Sequence, residues 1–127
     1  MNKHELENRL IEYAIIIIRI TSNLPRTRIL YHLSGQLMRS GTSVALNFGE
    51  ARSAESRKDF IHKLKVIIKE LRETHICLKI IIRLTKGNIK GLLKEAIRET
   101  NELLSIFVAS VLTAQKNQKL KLVNNDS

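Results

Sequence analysis

Residues 56–87 read SRKDFIHKLKVIIKELRETHICLKIIIRLTKG and decide the fold. Phe60, Leu64, Ile67, Leu71, Thr74, Leu78 and Ile81 recur at alternating steps of four and three. That period is one stripe of an α-helix, whereas a half-buried strand would alternate every second residue. Ser56 with Asp59 three residues later resembles a capping box with a short acidic partner, and Gly87 is a natural C-terminal stop. The isoleucine runs Ile80–Ile82 and Ile15–Ile18 have strand propensity, yet each lies inside a longer helical pattern and is read as helix.

Three further segments repeat this pattern. Upstream, Leu6, Leu10, Tyr13, Ile17, Ile20 and Leu24 form one stripe, with Asn2 and Glu5 as a cap pair. Pro25 cannot continue that helix but suits the start of the next. From about Arg26 to Arg52, Leu30, Leu33, Leu37, Val44 and Phe48 share a side, and Gly41 stands where a large residue is expected. Ser34, Gly35, Ser40, Gly41, Thr42 and Ser43 weaken helix propensity, so this segment either continues with a thin face or breaks near Ser40-Gly41. From about Asn88, Leu93, Ala96, Thr100, Leu103 and Phe107 make a fourth stripe, widened by Leu92, Leu104, Val108 and Val111.

Five Gly and one Pro in 127 residues leave too little turn chemistry for a β-sandwich. Four helices with short links predict an all-α, antiparallel up-down four-helix bundle over residues 1–115. The polar stretch 116–127 is expected to be a frayed tail. The surplus isoleucines put apolar groups outside the core stripe, and subunit contact is their expected use.

Charge is the main functional signal. Twenty-two Lys and Arg face 12 Asp and Glu, a net charge of +10. Residues 52–98 hold thirteen basic and five acidic groups, so the excess is a patch rather than a diffuse solubility charge. Within it, Lys58, Lys65, Lys69, Arg72, Lys79, Arg83 and Lys86 follow steps of 7-4-3-7-4-3, with His62 and Ile76 at the skipped positions. All lie on the helical stripe opposite the core. From Lys58 to Lys86 this rod would extend ~42 Å. Solvated helix faces ordinarily mix signs to gain i,i+4 pairs. An almost purely cationic rod instead suits a phosphate backbone. With no Trp and few Asn, Gln or aromatic groups on the stripe, backbone-directed, sequence-tolerant binding is expected rather than base reading.

Other chemistry is thin. His4, His32, His62, His75 and Cys77 lack metal-ligand spacing, so neither metal nor cofactor is expected. Ser43 and Asn47 have no base-plus-nucleophile set around them, and no Gly-rich phosphate loop occurs. Cys77 sits in an apolar run and reads as a buried thiol. Glu70 and Glu73 are expected to pair with Lys69, Arg72 or a neighbouring helix. An enzyme is not expected. The longest apolar run, Tyr13–Ile18, is too short to span a membrane, and no secretory signal is visible; a soluble, cytoplasmic protein is expected.

Residues 39–78 resemble a bacterial four-helix-bundle family first met as proteins encoded in intervening sequences of 23S ribosomal RNA genes. Ser43, Val44, Asn47, Glu50, Ala51, Ala54, Ser56, Asp59, Phe60, Ile61, Lys63, Lys69, Glu70, Glu73, Thr74 and Leu78 match a common form of that family in order and spacing. The chain departs from a second branch, carrying Gly49-Glu50-Ala51 and Ala54 where that branch has Ala-Glu-Gly and a later Arg. Cys77 stands where an aromatic often precedes the final Leu. The resemblance implies a homopentameric barrel and a continuous helix through Ser40–Ser43. It also implies kinship with accessory proteins of diversity-generating retroelements, basic pentamers that bind a reverse transcriptase and nucleic acid. Within it, Asn47, Glu50, Asp59 and Phe60 are structural residues around the turn between the second and third helices.

Two rival readings remain. In one, a protein–protein scaffold turns its cationic face to an acidic partner. In the other, a helix-turn-helix regulator has Ser40-Gly41-Thr42 as its turn and Ser43–Arg52 as its recognition helix.

Overall fold

The computed structural model describes residues 1–126. Four helices follow one another: α1 (Lys3–Asn23), α2 (Arg28–Arg52), α3 (Arg57–Leu84) and α4 (Ile89–Asp126). No strand occurs among the described residues. Each helix packs on its sequence neighbours, and α4 closes the ring on α1, leaving α1/α3 and α2/α4 as the diagonals. This is the antiparallel four-helix bundle that the periodicity predicts.

Local chemistry sets the boundaries. Asn2 caps α1 by accepting from the Glu5 amide at 2.8 Å, and the Glu5 carboxylate reaches back to the Asn2 amide. Thr27 and Ser56 cap α2 and α3 through the amides of Leu30 and Asp59. Gly87, at φ 91°, takes the left-handed turn between α3 and α4 that a side chain would disfavour. Ser40–Thr42 lie inside an unbroken α2, so no turn sets off Ser43–Arg52 as a recognition helix.

The reason α2 stays intact is visible at Gly41. A Cβ there would lie 2.8 and 2.9 Å from the Ile17 side chain, so the glycine is where α1 presses onto α2. Beside it, each helix contributes one buried hydroxyl. Tyr13 and Thr100 share a 2.6 Å hydrogen bond, and Thr74 donates to Ser40 at 2.8 Å. All four are fully buried, so the pairing offsets the cost of removing hydroxyls from water. Burial holds the Tyr13 phenol far above its ordinary range, against the smaller effect of Thr100. Around this polar centre pack Leu10, Leu37, Val44, Leu71, Leu78 and Leu103, and Phe48 meets Phe107 edge-to-face at 5.9 Å.

Helix α4 is longer than its apolar stripe. Regular structure does not stop near Lys116: α4 continues as helix to Asp126. No Gly or Pro follows Gly91, so nothing local ends the helix, and Gln118, Lys121 and Leu122 line a groove with Ser56–Lys58. The isoleucine runs divide between the protomer's own core and its surface. Ile17 and Ile81 are buried and Ile16 and Ile82 pack against them, while Ile18 and Ile80 are each 43% exposed. No helix among the described residues is long and apolar enough to cross a membrane.

Candidate nucleic-acid interface

Helix α3 buries Ile61, Leu64, Ile67, Leu71, Thr74, Cys77, Leu78 and Ile81. At about 100° per residue its opposite face must then carry the residues one half-turn away. Lys58, Lys65, Lys69, Arg72, Lys79 and Arg83 are indeed all exposed on α3, as are His62 and Ile76 between them. Lys86 is exposed too but lies beyond Leu84, after the buried C-cap Thr85. The helical part of the rod therefore ends at Arg83.

What keeps this face cationic is a pairing on the neighbouring helix. Glu70 and Glu73 adjoin Lys69 and Arg72 in sequence, yet both are engaged by Arg39 of α2, Glu70 at 3.2 Å. These contacts raise the Arg39 pKa, the Glu73 hydrogen bond most of all. Glu50 likewise takes Lys63 at 2.8 Å, and Glu7 takes Arg52 at 3.0 Å. On the far seam Arg9 bridges Glu99 and Glu102, each at 2.6 Å. None of these ion pairs includes any of the seven cations of the stripe.

The expected structural residues are not equivalent. Glu50 does tie α2 to α3 through Lys63, whereas the Asn47 amide donates to the Ser43 carbonyl of its own helix at 2.8 Å. Asp59 sits in the capped first turn of α3, and the Lys3 ammonium lies 5.9 Å from the centre of the Phe60 ring. Cys77 is buried and donates weakly to the Leu33 carbonyl at 3.6 Å; burial, then Glu73, pushes its thiol up to about 11. A thiol held protonated in this way is no nucleophile at neutral pH.

Two features of this face were not anticipated. The first is a groove of about 740 Å³ between α3 and α4, lined by Arg72, His75, Ile76, Leu104, Val108 and Leu112. Ile76 and Leu112 remain 55% and 62% exposed there. Burial, and then Lys79, lowers the His75 pKa, which disfavours the charged imidazolium in this groove. The second is a cationic end. The antiparallel order brings the α1–α2 and α3–α4 connections to one end of the bundle. Arg26, Arg28, Lys79, Arg83, Lys86, Lys90 and Lys94 gather there, and none joins an ion pair among the described residues. The signal was present in the sequence: residues 13–49 and 74–94 contain no Asp or Glu. Only the bundle shows that the two stretches meet.

Fold and surface together define a basic, all-helical bundle protein with one uncompensated cationic face. The chain belongs to the 23S rRNA-intervening sequence protein family, whose model matches residues 2–109. It is also similar to a solved structure, a protein with unknown function from the S23 ribosomal protein family of Bacteroides thetaiotaomicron. That similarity is 28% sequence identity over 87% of this chain and 98% of the other, with a TM-score of 0.78. A comparison with curated proteins gave no match. Neither matched description names an enzymatic activity. Among the described residues no group of three or more His, Cys, Asp or Glu could hold a metal ion.

Proposed function

We propose that this chain is a non-enzymatic, oligomeric nucleic-acid-binding protein that holds phosphate backbones along the exposed stripe Lys58, Lys65, Lys69, Arg72, Lys79, Arg83 and Lys86. The observation that carries the reading is that Arg39 engages Glu70 and Glu73, leaving the adjoining Lys69 and Arg72 without an acidic partner. A self-repelling row of cations costs stability unless a polyanion meets it. The resemblance to pentameric relatives adds two elements: assembly as a homopentamer, and service as an accessory to a reverse transcriptase or other nucleic-acid enzyme. Exposed Ile18, Ile80 and Leu46 are available for subunit contact.

The test is a fluorescence-anisotropy titration of single-stranded RNA, duplex RNA and duplex DNA across a salt series. If the stripe neutralises about six phosphates, log affinity against log salt falls with a slope near −5 for duplex DNA, alike for different sequences. A slope near zero rejects the reading. It would favour the second one, an acidic protein partner, for which the apolar α3–α4 groove beside Arg72 is the supporting observation. Light scattering of the purified chain tests the pentamer.

A further inference from the structure

The α3 stripe offers charge but no surface for a base. The other side of the cationic end offers both. A groove of about 860 Å³ runs along the α1–α2 connection, lined in part by Thr21, Ser22, Arg26, Arg28, Tyr31 and Gly35. Volumes of roughly 300–1,000 Å³ are those small ligands occupy. Tyr31 is 79% exposed, and no other large apolar side chain among the described residues is more so. Its ring thus stands free in a groove whose charged lining groups are both arginines, neither of them ion-paired.

The surroundings favour an anion with a flat apolar part. The hydroxyls of Thr21 and Ser22 donate back to the Ile18 carbonyl at 2.9 and 2.8 Å, so they offer a phosphate no proton and can only accept, as from a base N–H. Helices α1 and α3 begin at the opposite end with Glu5 and Asp59 in their first turns. Helices α2 and α4 begin at this end with no acid in theirs, so the positive ends of two helix dipoles go uncompensated. An anionic protein segment would be satisfied by the charge alone. A displayed tyrosine in the same groove as two arginines suits an unpaired base that stacks while its phosphates meet the guanidiniums. A duplex keeps its bases stacked inside and cannot use it.

We propose that this groove is a second nucleic-acid site, specific for single strands, in which a base stacks on Tyr31 and the adjoining phosphates pair with Arg26 and Arg28. It is distinct from the α3 stripe, and one ring makes it a single-nucleotide clamp rather than a stacking platform.

The experiment compares a short labelled oligouridylate with an RNA duplex long enough to cover α3, using the full chain and its Tyr31→Ala, Tyr31→Trp and Arg26→Glu/Arg28→Glu variants. Tyr31→Ala should weaken oligouridylate binding roughly 5- to 100-fold while duplex affinity stays within about twofold. Arg26→Glu/Arg28→Glu should weaken oligouridylate at least as much. Tyr31→Trp should retain affinity and, as the only tryptophan in the chain, lose fluorescence when oligouridylate binds. No oligouridylate binding by the parent chain, equal losses for both ligands, or an unquenched tryptophan would overturn the site. A change of oligomeric mass in Tyr31→Ala would do so too, by assigning the ring to a subunit contact. Failure of the α3 reading looks different: duplex binding would be absent in the parent chain while oligouridylate binding still depended on Tyr31.

Discussion

The two ends of this bundle are built from the same residue types and behave differently. At the end holding the α2–α3 turn, Arg52 meets Glu7 and Lys63 meets Glu50, and both helices that start there carry an acid in the first turn. At the other end, seven cations have no acidic partner and both helix starts lack an acid. Lysine and arginine content does not separate them. Among the described residues Arg57, Lys58 and Lys121 at the α2–α3 end join no ion pair either, so what separates the ends is the pairs Arg52–Glu7 and Lys63–Glu50 and the first-turn acids. A basic protein of this kind is therefore better described by which of its cations are left over than by its net charge.

Four measurements would break or sharpen that contrast. The largest effect is expected for Lys65→Glu/Lys69→Glu/Arg72→Glu/Lys79→Glu, which should cost duplex binding roughly 100-fold or more and flatten the salt slope by about four. Reversal of the three lysines Lys116, Lys119 and Lys121, toward the other end, should leave binding nearly unchanged; similar losses per charge from both variants would erase the distinction. Next comes the packed centre, which should govern stability alone. Gly41→Ala forces a Cβ into Ile17 and should cost about 1–3 kcal/mol by urea unfolding, with the salt slope intact. Combined with Ile17→Ala it should cost less than the sum of the two single changes, and strict additivity would show that the contact is not what is strained.

Thr100→Val should follow, at roughly 1–3 kcal/mol, because it removes the nearer hydrogen-bond partner of the buried Tyr13 hydroxyl. Tyr13→Phe combined with Thr100→Val should cost less than the sum of the two single changes. The smallest effect has the opposite sign. Lys90→Glu places an acid in the first turn of α4 and should stabilise the fold by about 0.3–1 kcal/mol while weakening nucleic-acid binding. A destabilised Lys90→Glu, measured by thermal unfolding at low salt, would show that the cationic end is not under electrostatic strain.

Much of this was legible in the chain itself. The stripes from Leu6 to Leu24 and from Phe60 to Ile81 mark the buried faces of α1 and α3, and Asn2–Glu5 forms the box its spacing predicts. The end of α4 was not legible, since polarity in residues 116–126 says that the segment is wet and not that it is irregular. The isoleucine runs divide between core and surface for a related reason. Four consecutive isoleucines span most of a helical turn, and in a four-sided bundle the flanks of the core stripe, Ile16 and Ile82 among them, face neighbouring helices.

By itself the sequence determined four helices, their caps, their inward faces and a cationic stripe on the third. Periodicity and capping act within one or two turns, so a linear reading captures them. Only the tertiary structure decided that Arg39 would occupy Glu70 and Glu73, 31 and 34 residues away, and so strip Lys69 and Arg72 of partners. It alone brought the acid-free stretches 13–49 and 74–94 to one end and left the Tyr31 ring exposed there. Those outcomes depend on which helices lie side by side and in what register, and that is settled by packing around Gly41 and the buried hydroxyls, not by local propensity.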